Sequence, residues 1–172
     1  MTEIEMLKEM LSMQEEYDQM VFKAHGMSGY GDINSTMLYH ALLDEVGELN
    51  HELKADWCWW KNTQGEPDGE KVLEELADVI HFILMNVLYF DRNCHHGEPV
   101  ENKEFFMGFS WKENQKETIS GWFHRLLNSS QFLERGRLLG LIPDVFGFTW
   151  QEVYEAYKKK NAVNRKRVKD GY

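Results

Sequence analysis

Leu73-Glu74-Glu75-Leu76-Ala77-Asp78-Val79-Ile80-His81-Phe82-Ile83-Leu84-Met85-Asn86-Val87-Leu88 is the stretch that decides the fold. It holds no Pro or Gly, and Leu73, Leu76, Ala77, Ile80, Leu84, Val87 and Leu88 recur at helical spacing. Its polar residues are few. Glu75, Asp78 and Asn86 share one stripe with Phe82, so the spacing predicts a helix buried on most sides with acidic groups along one line. Buried carboxylates are costly unless something positive faces them. Lys and Arg are scarce here, so a metal ion is the expected counterpart.

Outward from this helix the chain reads as all-α. Glu3 to Lys23 forms a helix with Met6, Leu7, Met10, Leu11, Met13, Tyr17 and Val21 on one broad apolar side, and Gln14 sits on or beside that side. Gly26 to Asn34 is loop, with Ser35 or Thr36 able to cap a helix from about Met37 to Trp57. In that helix Leu42, Val46, Leu49 and Leu53 make the apolar seam, and Glu45, Glu48 and Glu52 line a neighbouring stripe. The central helix is expected from about Gly69 to Phe90, and Asp91 to Asn102 as loop. Gln115 to Gly136 reads as one helix, Gly140 to Gly147 as a break around Pro143, and Trp150 to about Arg165 as a last helix capped by Thr149. No strand of useful length and no repeat is found. The expectation is a single all-α domain over residues 1–172, a bundle of about five to seven helices.

Composition excludes several function classes. The net charge of -10 disfavours general nucleic-acid binding. No apolar run reaches a membrane span, since the longest near-candidate, Val79 to Phe90, contains His81 and Asn86. Cys58 and Cys94 make no disulfide framework, and the N-terminus lacks a basic-then-apolar leader, so the expected location is a reducing cytoplasm. The charge is also uneven: seven of the 19 basic residues lie between Lys158 and Lys169. An acidic body with a basic tail can make a metal site beside an anion site.

The chemistry gathers in two pairs at i, i+3, Glu45 with Glu48 and Glu75 with Asp78. That spacing sets two carboxylates one turn apart on one face. Two such helices packed together would bring four oxygen ligands to one point, a donor set suited to Mg2+ or Mn2+. Such an ion bridges phosphate oxygens, and Lys160 and Arg167, seven residues apart, can neutralise charge that it leaves over. Two other readings use the same residues. Glu48-x-x-His51 and Asp78-x-x-His81 have the spacing of di-iron carboxylate bundles, although nothing singles out the two further glutamates these need. A non-catalytic helical interaction protein would leave the acidic stripes as solvated faces. His95 and His96 are read as exposed loop residues. Three tryptophans within Trp57-Cys58-Trp59-Trp60 are either a core corner or a wall for a flat ligand.

With these pieces assembled, the sequence resembles the dimeric all-α dUTPases, within the wider all-α nucleoside triphosphate pyrophosphatase superfamily that includes the MazG-like enzymes. Glu45-Val-Gly-Glu48 and Glu75-Leu-Ala-Asp78-Val-Ile-His81-Phe82 look like its ExxE and ExxD metal motifs. Tyr157-x-x-Lys160-Asn161-x-x-Asn164-x-x-Arg167-x-x-x-Gly171-Tyr172 looks like its phosphate-gripping tail, with Val168 where the family usually has Gln. The resemblance implies Mg2+-dependent hydrolysis of dUTP to dUMP and pyrophosphate by a homodimer, with dCTP or a broader nucleotide set as the alternative substrate. It implies Glu45, Glu48, Glu75 and Asp78 as metal ligands, and Glu48 as the group that orients or deprotonates the attacking water. Lys160, Asn161, Asn164, Arg167 and Tyr172 would bind the phosphate chain, Asn86 the deoxyribose, and Gln14 and Trp60 would lie near the base.

Overall fold

The computed structural model describes residues 1–62, 65–94, 103–111 and 116–171, with the side chain of residue 94 outside that description. His95, His96 and Tyr172 lie outside the described residues. The elements are α1 (Glu3–Ala24), a 3-10 turn (Tyr30–Asp32), α2 (Ser35–Glu52), α3 (Lys54–Trp57), α4 (Gly69–Cys94), α5 (Lys103–Phe109), α6 (Ile119–Asn128), α7 (Phe132–Gly140), α8 (Ile142–Phe146) and α9 (Trp150–Lys169). The described residues contain no strand, and the architecture is an all-α bundle. Seven of its helices span at least seven residues, and α3 and α8 are short.

The 26-residue α4 is the axis. Leu76, Ala77, Val79, Ile80, Ile83, Leu84, Val87 and Leu88 are all buried, so nearly every side of its middle turns faces another element. α2, α9 and α1 pack against it. α1 and α9 begin alike: Thr2 with Glu5 and Thr149 with Glu152 each form a reciprocal capping box, which satisfies amides that a helix start otherwise leaves bare.

Several boundaries differ from the sequence expectation, each for a local reason. Asn34, rather than Ser35 or Thr36, caps α2, its side chain accepting from the Thr36 amide at 2.8 Å. α2 stops at Glu52 instead of running to Trp57, and the chain turns so that the Trp57 indole donates to the Asn50 carbonyl at 2.8 Å, filling an acceptor the helix end leaves open. α4 continues past Phe90 because its polar last turn has partners: Arg92 pairs with Glu15 at 2.6 Å, and Asn93 donates to the Tyr30 carbonyl. The single helix expected over Gln115 to Gly136 is two. Ser129 is extended and its hydroxyl accepts from the Gln131 amide, a local bond that competes with helix propagation. Pro143 is tolerated in the first turn of α8, and Gly147 ends that helix at φ 78°.

α5 was not expected at all. It lies against α7 at a glycine contact: a Cβ on Gly136 would stand 1.9 Å from the Phe105 carbonyl oxygen. Only a residue without a side chain allows the two backbones to come so close. No helix among the described residues is long and apolar enough to cross a membrane.

Candidate active site

α2 and α4 bring their acidic stripes face to face. Carboxylate oxygens of Glu45, Glu48 and Glu75 all lie within 4.8 Å of one another. The placement follows from the seam: Leu42, Val46 and Leu49 are buried against α4, which turns the residues one step away, Glu45 and Glu48, along its flank. These groups border a cleft of about 490 Å³, together with Asp78, Gln14, Tyr17, His81, Phe82, Met85, Lys160, Asn164, Arg167 and Val168. α1, α2, α4 and α9 all contribute.

The electrostatics are those of crowded, partly buried negative charge. Burial, then repulsion from Asp78, Glu48 and Glu75, pushes the Glu45 carboxyl up to about 7. Burial and the neighbouring Asp78 raise Glu75 too. Asp78 is raised because burial outweighs the Lys160 contact. Lys160 supplies the nearest positive charge, its Nζ 2.6 Å from Asp78 Oδ2 and 3.2 Å from Glu74 Oε1. Burial works against the ammonium, but the bonds to Asp78 and Glu74 prevail and hold its pKa above the ordinary value. Three carboxylates this close fit a hard divalent cation, which would offset the burial and repulsion that raise Glu45 and Glu75.

The cleft has two unlike sets of lining residues. Along α4, Met85 lies ten residues past Glu75, about 15 Å at the helical rise. Tyr17, Phe82, Met85, His81 and Gln14 form the aromatic and neutral set. On α9, Lys160, Asn164 and Arg167 recur at i, i+4 and i+7, so one stripe carries the cations along the cleft.

Behind the neutral set runs a buried polar network. Gln14 Nε2 donates to Asp18 Oδ1 at 2.7 Å, and Tyr30 donates its hydroxyl to Asp18 Oδ2 at 2.7 Å. Gln14 Oε1 accepts from the Tyr157 hydroxyl at 2.8 Å and meets His81 Nδ1 at 2.6 Å. An amide oxygen has no proton to give, so His81 carries its proton on Nδ1. The imidazole stacks on Tyr157 with centroids 4.1 Å apart, and burial followed by nearby Lys160 lowers its pKa to about 3, keeping it neutral. His81 therefore points to Gln14 and is absent from the carboxylate group, as is His51, which contacts Lys54. That is not the ligand set of a di-iron bundle.

Of the residues singled out from sequence, Glu45, Glu48, Glu75, Asp78, Gln14, Lys160, Asn164 and Arg167 meet at this cleft. Three others do not. Asn161 is buried, with Oδ1 accepting from Arg165 at 2.7 Å; one residue after Lys160, it is rotated about 100° from the cleft stripe. Asn86 bonds back to the Phe82 carbonyl at 2.8 Å, and Met85 takes the cleft position instead. Trp60 is 56% exposed and packs on Trp57 and Trp59 outside the cleft. Conversely, Tyr17, Met85 and Val168 line the cleft without having been singled out, and Asp18, Tyr30 and Tyr157 stand behind it. Asp18 was detectable as a second polar residue on the apolar side of α1, four positions after Gln14.

Fold and site together define an all-helical protein with a carboxylate cluster suited to a hard cation and a basic helix beside it. Comparison with known families places the chain within that class: residues 6–172 match the dUTPase family (dUTPase_2), and the chain belongs to it. It is an enzyme of the dUTP diphosphatase type. A search of curated proteins finds no match.

Proposed function

We propose that residues 1–172 act as one catalytic domain that hydrolyses dUTP to dUMP and pyrophosphate with Mg2+ (Mn2+ as a substitute), as a cytoplasmic homodimer. The observation that carries this reading is the meeting of Glu45, Glu48 and Glu75 within 4.8 Å, with Asp78 and Lys160 bordering the same cleft. Glu45, Glu48, Glu75 and Asp78 would hold the ion, which when bound polarises phosphate oxygens and water and neutralises charge developing on the leaving group. Glu48 is the most exposed of the clustered three and borders both the cleft and the open groove on its other side, so it is best placed to take a proton from a water entering there. Lys160, Asn164 and Arg167 are donors for the phosphate chain along the basic stripe. Lys160 would exchange its contact with Asp78 for phosphate when substrate binds. Tyr17, Phe82 and Met85 offer flat and soft surfaces to a base, and Gln14 a polar contact.

A dCTP or broader specificity is the competing reading of the same cleft. The test is a panel of the four common deoxynucleoside triphosphates and dUTP with Mg2+, reading pyrophosphate. Release from dUTP, with weaker release from the others, supports the proposal; equal rates on all five support broad specificity, and no release from any refutes it.

A further inference from the structure

Lys160 is shared by two carboxylates four residues apart on α4. Its Nζ lies 2.6 Å from Asp78 Oδ2 and 3.2 Å from Glu74 Oε1. Asp78 borders the cleft, Glu74 borders a neighbouring groove of about 570 Å³, and Lys160 borders both. The two acids are unlike. Asp78 has a side chain only 12% exposed and belongs to the group proposed to hold the cation. Glu74 has a side chain 60% exposed and does not line the cleft. Among the described residues its carboxylate bonds to Lys160 and to nothing else. A side chain that serves neither the core nor the carboxylate cluster can act here only through the lysine it holds.

We infer that Glu74 is a positioning residue that keeps the Lys160 ammonium in place for the phosphate chain once Asp78 is engaged by the cation. The inference rests on the proposed triphosphate hydrolysis, in which Lys160 gives up its contact with Asp78. An ammonium carries three N–H donors on a flexible four-carbon stem. With Asp78 withdrawn and no second anchor, that stem would sample several rotamers, and ordering it again on phosphate costs binding free energy. Glu74 retains one N–H, which restricts the stem and leaves two donors for phosphate oxygens. Simple charge counting gives the opposite sign, because deleting an acid near a triphosphate favours the anion. One residue therefore separates the two effects.

The test measures kcat and KM for dUTP with Mg2+, and binding of inorganic pyrophosphate with Mg2+ by calorimetry. The proteins are wild type, Glu74→Ala, Lys160→Met and the double variant. Glu74→Ala is expected to raise KM and the pyrophosphate Kd at least threefold, with kcat within twofold of wild type. In the Lys160→Met background the same substitution is expected to raise neither. Glu74→Gln, which keeps an acceptor oxygen, should fall between wild type and Glu74→Ala. An exposed carboxylate contributes little to stability, so the Glu74 variants should melt close to wild type. A smaller rise or a fall in Glu74→Ala overturns the inference, as does an equal rise in the Lys160→Met background. If wild-type protein cleaves no deoxynucleoside triphosphate, the hydrolase reading fails and the pyrophosphate Kd alone decides the inference. Wild-type protein that binds no pyrophosphate overturns it.

Discussion

Replacing Lys160 with Met tests whether this lysine is the charge that holds the acidic cleft together in the absence of metal. Met keeps most of the apolar stem and deletes the ammonium, which sits 2.6 Å from Asp78 Oδ2. The Asp78 side chain is only 12% exposed, whereas that of Glu74 is 60% exposed. The Asp78 contact therefore dominates, since a pair to an exposed carboxylate contributes little. A hydrogen bond between charged groups contributes about 1.5–3 kcal/mol, and protonation of the deserted Asp78 recovers part of it, leaving a loss of about 2 kcal/mol. For a chain of this size each kcal/mol moves Tm by about 2–4 °C, so the variant should melt about 4–8 °C below wild type in EDTA. With saturating Mg2+ the cation supplies the charge the lysine did, and the deficit should shrink by at least half. Thermal melts of both proteins in EDTA and in Mg2+ give the four numbers needed. An equal deficit in the two conditions, or none in EDTA, refutes the reasoning.

The remaining predictions concern the cluster, the base and the scaffold. Glu45 has its pKa raised to about 7, so below that pH the cation must displace a proton. Apparent Mg2+ affinity should rise from pH 6 to 8 with proton release on binding, measurable by calorimetry in buffers of different ionisation heat. The same shift sets a sign for stability: a carboxyl raised in the folded state adds most below its ordinary pKa, and that contribution is lost as pH rises through about 7 in metal-free protein. Glu48→Gln should lower kcat by about 100-fold or more, the range for a general base, while the far-ultraviolet circular dichroism stays that of wild type. Gly136→Ala should destabilise by about 1–3 kcal/mol, read as a lower Tm, because its Cβ would meet the Phe105 carbonyl oxygen at 1.9 Å and neither backbone can yield without parting α5 from α7.

The acidic cluster was legible in sequence because its grammar is local. Two i, i+3 pairs on helices with clear apolar seams determine which side chains share a face, and the seams then bring the faces together. Gln14 was visible as a polar residue on an apolar side, but its meaning was not, since its partners His81 and Tyr157 come from α4 and α9 and Asp18 is itself held by Tyr30. On α9 the cleft stripe of Lys160, Asn164 and Arg167 follows from helical phase alone, and the same phase turns Asn161 inward. The tail motif names all four without distinguishing the two faces. The α5–α7 contact was illegible for a different reason: nothing in the sequence pairs Gly108 with Gly136 and Gly140, whose missing side chains let two backbones approach in space. The split between α6 and α7 rests on a local bond at Ser129, too short-range to disturb the apolar periodicity that runs across it.

Titration of Mn2+ into metal-free protein, wild type beside Glu75→Gln, is the most direct measurement of the shared carboxylate site. The account predicts saturable binding to wild type that weakens at least tenfold in the variant, since Glu75 is the α4 member of the group whose oxygens lie within 4.8 Å. Undiminished Mn2+ binding in a folded Glu75→Gln protein, or no binding to the wild type, would contradict it.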